Sequence, residues 1–526
     1  MPSHPIPKHF NTLIVGNGPS ALILSYILHG NIPYYDPSIP HPDPILHGIL
    51  SESPCLLNVN LKDLTAHFSA SRLSYSTQAL PINVLLDTLV RPLADTDPGE
   101  HQSCVRWVKE PGRKIQHSVL GNSTQAGGQW ADNPVAASWD IGALSYAEML
   151  SLPGYTFEDH YHMAHHGKPL PDFHRPTRRE VADYLAKYPE MVGISDSVYT
   201  GVEVNSIQRT KSGFYLGSHG ITCKTLVLAT GTFSNLIPPR PLLLPLKDLP
   251  PKNEEGPLLV IGSGFTAADV IISAPPNRKI IHIFKWDPDN HPSPLRACHP
   301  SAYPEYASVY KRMKLAAQQN LGASVVSPLR FKKSNPFFDT RDRENVYEGF
   351  PNTYIKDVSI GDDTATPVLE TGSGEETRRE VSNMEYVIGR RGSLDYLDPH
   401  LRLEVLGTGG SNIMVSGRAL RPKVEETVEV APHVMAIGSL TGDSLIRFAY
   451  GGCAAAAQVI LESEVPPRNG KDSQTSSSTA SPASAMSSDT SLDDQEHHRH
   501  YIASNGHADL DVNRKNGDCS FDHKVV

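Results

Sequence analysis

No two of the six cysteines, Cys55, Cys104, Cys223, Cys298, Cys453 and Cys519, stand close together, and there is no Cys-x-x-Cys. That spacing excludes a dithiol redox centre, a zinc knuckle and a disulfide framework. Long basic runs are missing as well, and the formal net charge is -10. Neither half of the chain therefore reads as a partner for nucleic acid or an anionic membrane. No uninterrupted apolar stretch reaches the roughly 18 residues that a membrane-spanning helix needs. The first ten residues, MPSHPIPKHF, have neither an apolar run nor a cleavage signal, so no secretory peptide is expected and the expected location is cytoplasmic. Metal chemistry finds no ligand set: His162 and His166 have i,i+4 spacing, yet no third ligand joins them. The stretch around His160, His162, His165 and His166 reads as a Pro- and Gly-flanked loop. No residue stands out as a general acid or base, and nothing sets an oligomeric state.

What is present is an alternation of apolar strands, glycine turns and helices, which predicts an α/β protein with parallel sheets. At 526 residues the expectation is two domains and a tail. Residues 10–15, FNTLIV, read as a buried strand, and Pro19–His29 as the helix after it. Between them lies Gly16-Asn17-Gly18-Pro19-Ser20-Ala21. In such a turn Gly16 permits the tight bend, Gly18 lets a pyrophosphate approach the backbone, and Ala21 lets helix pack on strand. The helix N-terminus offers N–H groups and a positive dipole end to the anion. Asp36 lies twenty residues after Gly16, at the end of a predicted second strand over 33–36, where an acid binds adenosine ribose hydroxyls.

The same pattern returns at Gly262-Ser263-Gly264-Phe265-Thr266-Ala267, between LLVI and AADVII. Here Lys285 follows the predicted second strand, 280–284. A cation in that place suits the 2′-phosphate of NADP rather than the free hydroxyls of NAD. Asp287 and Asp289 nearby blur that preference, and a solvated lysine is the plain alternative. Gly127-Gly128-Gln129-Trp130 follows a strand over 115–121; it is either a ring-binding turn or a turn before a core tryptophan. Leu228-Ala229-Thr230-Gly231 closes a strand between the two loops. Late in the chain, Gly438 to Asp443 separate the strand 433–438 from a helix-like run over 444–462, and Asp443 reads as a ligand or as an N-cap. Thr177 is a predicted N-cap for a helix over 177–187, and MEYVIG at 384–389 a return strand before Arg390 and Arg391.

Taken in order, GNGPSA, GGQW, LATGTF, GSGFTAAD, YPEY and GDSLIRF resemble the oxidative stress-induced growth inhibitor family of flavin-dependent monooxygenases. The less common matches are VGNGPSA at 15–21, Tyr303 to Tyr306, and Asp443 to Phe448 with Arg447. The similarity spans roughly residues 10–462. It implies two Rossmann-like dinucleotide-binding domains, the NADPH domain inserted in the FAD domain. The expected division is 10–240 and 425–463 for FAD, 241–424 for NADPH, and a disordered tail over 464–526, where Ser, Thr and Asp dominate.

The resemblance assigns Gly16, Gly18, Pro19, Ser20, Ala21, Asp36, Gly128, Trp130, Ala229, Thr230, Gly231 and Asp443 to FAD. It assigns Gly262, Gly264, Ala267 and Lys285 to NADPH. It implies a monooxygenase that acts through a flavin C4a-(hydro)peroxide on a small molecule and molecular oxygen, with specialised metabolism as one setting. One departure stands out. The FxGxxxHxxx(Y/F/W) fingerprint of amine and ketone oxygenases is absent from 238–256, so neither chemistry carries over. The alternative is a regulatory flavoprotein with weak NADPH oxidase activity that interacts through its tail.

Overall fold

A computed structural model describes residues 5–70, 79–92, 102–133, 135, 137–249, 256–320, 346–407, 414–425 and 427–464. The expected tail beyond 464 lies outside them. Among the described residues no helix is long and apolar enough to cross a membrane.

The apolar run near the N-terminus forms β1 (His9–Val15), the centre of the main sheet. It pairs in parallel with β4 (His117–Leu120) on one side and β8 (Ile221–Leu228) on the other. Burial on both faces explains why these strands are almost continuously apolar. The sheet continues through β20 (Val434–Ala436) and β19 (Glu429–Ala431) beyond β8, and through β5 (Val198–Tyr199) beyond β4. An antiparallel ribbon, β6 (Ile207–Thr210) and β7 (Gly213–Leu216), hangs from β8.

After β8 the chain leaves this sheet and builds a second one. Its order is β12 (Tyr347–Pro351), β11 (Ile280–Phe284), β10 (Leu258–Ile261), β16 (Asn383–Tyr386), all parallel. The antiparallel strands β13 (Tyr354–Ile360), β14 (Ala365–Glu370) and β15 (Glu376–Arg378) form a separate sheet. The short strands β9 (Asn235–Leu236), β17 (Arg390–Ser393) and β18 (Met414–Val415) make the ribbon by which the chain leaves and returns.

The helices follow the same order. α1 (Pro19–Leu28) comes directly after β1. α2 (Pro44–Glu52), α3 (Leu61–Ala70) and α4 (Pro81–Val90) lie between β2 (Asn31–Tyr35) and β3 (Val105–Lys109). α5 (Ala147–Leu150), α6 (Phe157–Ala164) and α7 (Arg178–Met191) precede β5. α8 (Leu244–Lys247), α9 (Phe265–Ser273) and α10 (Pro304–Asn320) belong to the second sheet's region, followed by α11 (Pro399–Leu406), α12 (Gly417–Val424) and α13 (Tyr450–Glu464).

Three expectations change. The second strand exists as β2, but it pairs antiparallel with β3, from Asn31 opposite Lys109 to Tyr35 opposite Val105. Its Ile32 and Tyr35 are buried in the main core with Leu46, Leu50 and Leu56, and the Tyr35 hydroxyl meets His47 Nδ1 of the following helix at 2.7 Å. The place beside β1 goes to β4 instead. The histidine-rich stretch is helical over α6, because Thr156 and Asp159 form a capping box that the sequence reading missed. The run after Asp443 begins as a short 3-10 turn, Ile446–Ala449, and becomes α-helix only at Tyr450. Thr177 does cap α7: its hydroxyl accepts from the Glu180 amide, and Glu180 accepts from the Thr177 amide at 2.7 Å.

Candidate functional site

The first glycine turn is set by three strand ends. Gly16 has φ +110°, and a Cβ there would collide with the carbonyl oxygen of Ala229 at the end of β8. The Gly16 amide donates to Leu120 O at 2.7 Å, and the Ala229 amide donates to Val15 O at 2.8 Å. Only glycine fits a positive φ so close to a neighbouring backbone. Gly18 is the N-cap of α1; no side chain caps it, and nothing lies within 4 Å of where its Cβ would be. That open face at a helix N-terminus is suited to an anion. Ala21 is fully buried behind it, where a larger side chain would push α1 away.

The Gly127-Gly128-Gln129-Trp130 segment closes over this turn. The Gly127 amide donates to Asn17 O at 2.8 Å, and Asn17 Nδ2 donates to Gln125 O at 3.2 Å. A Cβ on Gly128 would stand 3.1 Å from Gly18 Cα. The late motif arrives from the opposite side: a Cβ on Gly438 would collide with the Ser20 hydroxyl. Together these walls bound a cleft of about 910 Å³. It brings together Gly16, Gly18, Pro19, Ser20, Gly128 and Trp130 with Ala229, Thr230, Gly231 and Asp443.

Asp443 lines the cleft yet is only 6% exposed. Its carboxylate accepts from the Leu80 amide at 2.8 Å, from Asn83 Nδ2 at 2.6 Å and from Arg421 Nη1 at 2.8 Å. It thus holds the start of α4, and does not cap the helix that follows it. Asn83 in turn accepts from the Gly452 amide at 2.7 Å, which ties α4 to α13. Arg447 donates to the buried carboxylate of Asp87, which also meets Arg91 at 2.6 Å. The sequence reading missed Asn83, Asp87 and Arg421; no local pattern marks α4 as a wall for residues some 360 positions away.

Asp36 is not among the residues brought together. Its carboxylate accepts from the Ser38 amide at 3.0 Å and the Ser38 hydroxyl at 2.6 Å, which hold it below the usual carboxylate range. The strand beside β1 is β4, and after it Asn122 and Ser123 line the cleft, with Glu203 beyond β5. The signal that could have shown this is GGQW itself, which begins seven residues after Leu120 rather than after Asp36.

The second glycine turn repeats the first. Gly262 has φ +153°, and a Cβ there would be 2.5 Å from Val387 O. Its amide donates to Ile283 O at 3.0 Å, and the Val387 amide donates to Ile261 O at 2.9 Å. Gly264 is the uncapped and open N-cap of α9, and Ala267 is buried. Beneath the turn lies His282, fully buried and pushed down to about 4 by that burial. As a neutral ring it donates from Nε2 to Gly262 O at 2.6 Å and accepts from Tyr347 OH at 2.7 Å. Lys285 is exposed just past β11; it stands outside the cleft.

Tyr303 to Tyr306 join the two regions. Tyr303 OH donates to Leu144 O at 3.0 Å, Arg175 meets Glu305 at 2.7 Å, and Tyr306 OH donates to Asp269 Oδ1 at 2.8 Å. At the ribbon, a Cβ on Gly392 would collide with Gly231 O.

An α/β protein with parallel sheets is the class that this fold defines. No family model matches the chain. Oxidative stress-induced growth inhibitor 1 of Mus musculus is 27% identical over 513 residues, covering 88% of this chain and 96% of its own. The Caenorhabditis elegans homologue of that inhibitor is 25% identical over 496 residues, covering 85% and 93%. A flavin-containing monooxygenase from Stenotrophomonas maltophilia superposes on 87% of this chain and 99% of its own at 13% identity and a TM-score of 0.48. Over most of its length the chain is thus similar in sequence to the oxidative stress-induced growth inhibitors.

Proposed function

We propose that the chain is an FAD- and NADPH-dependent monooxygenase acting on a small molecule, with FAD in the main cleft and NADPH on the second glycine turn. In this reading residues 10–240 and 425–463 form the FAD domain, and 241–424 form the inserted NADPH domain. The observation that carries it is the repeated turn: Gly16 against Ala229 O and Gly262 against Val387 O, each followed by an open N-cap glycine. Two such turns offer two pyrophosphate seats.

The residues present fit these groups. Gly18 and Gly264 leave the space a phosphate needs, and the two helix N-termini supply the favourable dipole. Asn122, Ser123 and Glu203 take the adenosine end of the cleft, in place of Asp36. Asn122 offers a ribose hydroxyl both a donor and an acceptor, without a charge. Gly128 permits a flat ring to approach, and Trp130 borders it. Asp443 keeps the ribityl side of the cleft in shape by fixing Leu80 and Asn83. Lys285 stands where a 2′-phosphate would be neutralised. Bound flavin supplies the reduction of oxygen and its transfer; the chain binds, orients and excludes water.

Purified protein should be yellow, should hold FAD at about one equivalent, and should consume NADPH in air. Colourless protein that cannot be reconstituted with FAD would contradict the reading.

A further inference from the structure

Toward the second sheet, the cleft wall carries one cation among the described residues, Arg178 at the start of α7. It is only 8% exposed and lies 3.9 Å over the Trp139 ring. Its polar partners are few: Nη1 reaches Ala137 O at 3.5 Å, and the buried Nε has no partner. Arg390 on β17 reaches the cleft through a lining residue: its Nη1 meets Gln129 Oε1 at a long 3.4 Å. Neither guanidinium has a carboxylate at ion-pair distance among the described residues. The acid whose charge reaches both is Asp269 on α9, and its Oδ1 already accepts from Tyr306.

Asp132 in the cleft wall also reaches Arg178, so the two guanidiniums have acids near them but none in direct contact, in a poorly hydrated place. Burial lowers both arginines from their ordinary value and lifts Asp269 to about 6. An unpaired buried cation is costly, and an arriving anion relieves that cost. Arginine's planar fork matches a carboxylate or a phosphate.

We propose that Arg178 and Arg390 together seat an oxyanion, a carboxylate or a phosphate, of a molecule that occupies the cleft beside Gln129. This deepens the monooxygenase reading by naming the ligand class, and it rests on that reading only in treating the cleft as a ligand site. A carboxylate would belong to an acidic substrate, and a phosphate to the nicotinamide dinucleotide.

The test uses the full chain with no nucleotide added, so a failure to take up FAD has no bearing on it. Glutarate and inorganic pyrophosphate are titrated separately, read by calorimetry and by the fluorescence of tryptophan, since Trp139 stacks on Arg178. At least one anion should bind saturably. R178M and R390M should each weaken that binding by about tenfold or more. D269N should tighten it by about threefold or more, a gain that loss of fold cannot imitate. Tighter binding of glutarate identifies an acidic substrate as the source, and tighter binding of pyrophosphate identifies the dinucleotide. Pyrophosphate binding that persists equally in both arginine variants belongs to the glycine turns. The proposal is overturned if neither anion binds saturably, or if affinities in R178M and R390M equal the wild-type values.

Discussion

The two glycine turns share a backbone and differ in what surrounds them. Gly16 and Gly262 both press against the carbonyl at the end of a neighbouring parallel strand. Around the first, Gly128, Gly438 and the Ala229 turn close in, and Asp443, Arg421 and Asn83 lock the wall. Around the second no such enclosure stands among the described residues: it lies outside the cleft lining, and Lys285 is exposed. Enclosure suits a group that stays through many turnovers, and openness suits one that is exchanged each time. In the proposed reading the same local geometry serves a resident cofactor in one place and a travelling one in the other, and the walls decide which.

The strongest way to break this comparison is to place a methyl group at each turn. G16A should lose flavin almost entirely, because positive φ and the Ala229 carbonyl both oppose the new Cβ. G262A should keep its flavin and lose NADPH-driven reduction by about a hundredfold or more, a loss of roughly 3 kcal/mol. Absorbance of the purified variants and anaerobic stopped-flow reduction separate the two outcomes. If both variants behave alike, the two turns do not have separate roles.

Next in size is the lock on the first turn's wall. R447M removes one partner of a buried carboxylate while Arg91 remains. The expected destabilisation is about 3 kcal/mol, with weaker flavin retention. Thermal melting with and without added FAD measures both. A variant with unchanged melting and flavin content would show that α4 does not support the cleft.

Asp269 supplies a pH test at the seam. Burial raises its folded-state value to about 6 from an ordinary 3.8. Its contribution to stability is fully present below the ordinary value and is lost as pH rises through about 6. At about 1.4 kcal/mol per unit, the loss over that window is on the order of 2–3 kcal/mol. D269N should melt at least as high as the wild type above pH 6, and should flatten the stability change between pH 4 and 6. A D269N protein less stable than wild type at neutral pH would show that the carboxylate makes a compensating contact.

The smallest effects sharpen the comparison. K285A should raise the KM for NADPH about tenfold and leave NADH unchanged. D36A should leave flavin content as it is, whereas N122A should lower FAD affinity by a few-fold, near 1 kcal/mol. Equal effects of D36A and N122A on flavin would return the ribose to Asp36.

Local pattern made the turns legible. Strand, glycine turn and helix are contiguous in sequence, so Gly16–Ala21 and Gly262–Ala267 could be read directly. Asp36 lies outside the cleft because spacing along the chain is not adjacency in the sheet. The hydrophobic residues of β2 found partners in α2 and the segment around Leu56, which left the place beside β1 to β4. Asn83, Asp87, Arg175 and His282 were invisible for a related reason. Each acts on a residue distant in sequence or buried under a turn, and no short pattern records such pairs. Arg390 was visible as a charge after a strand, but its approach to Gln129 needed the folded ribbon.

The most direct test is anaerobic mixing of the flavin-loaded chain with NADPH, beside G262A prepared in the same way. The account predicts rapid bleaching of the flavin band in the wild type, slow bleaching in G262A, and equal flavin content in both. Flavin that NADPH leaves oxidised in the wild type, or that bleaches equally fast in G262A, would contradict the assignment of the second turn.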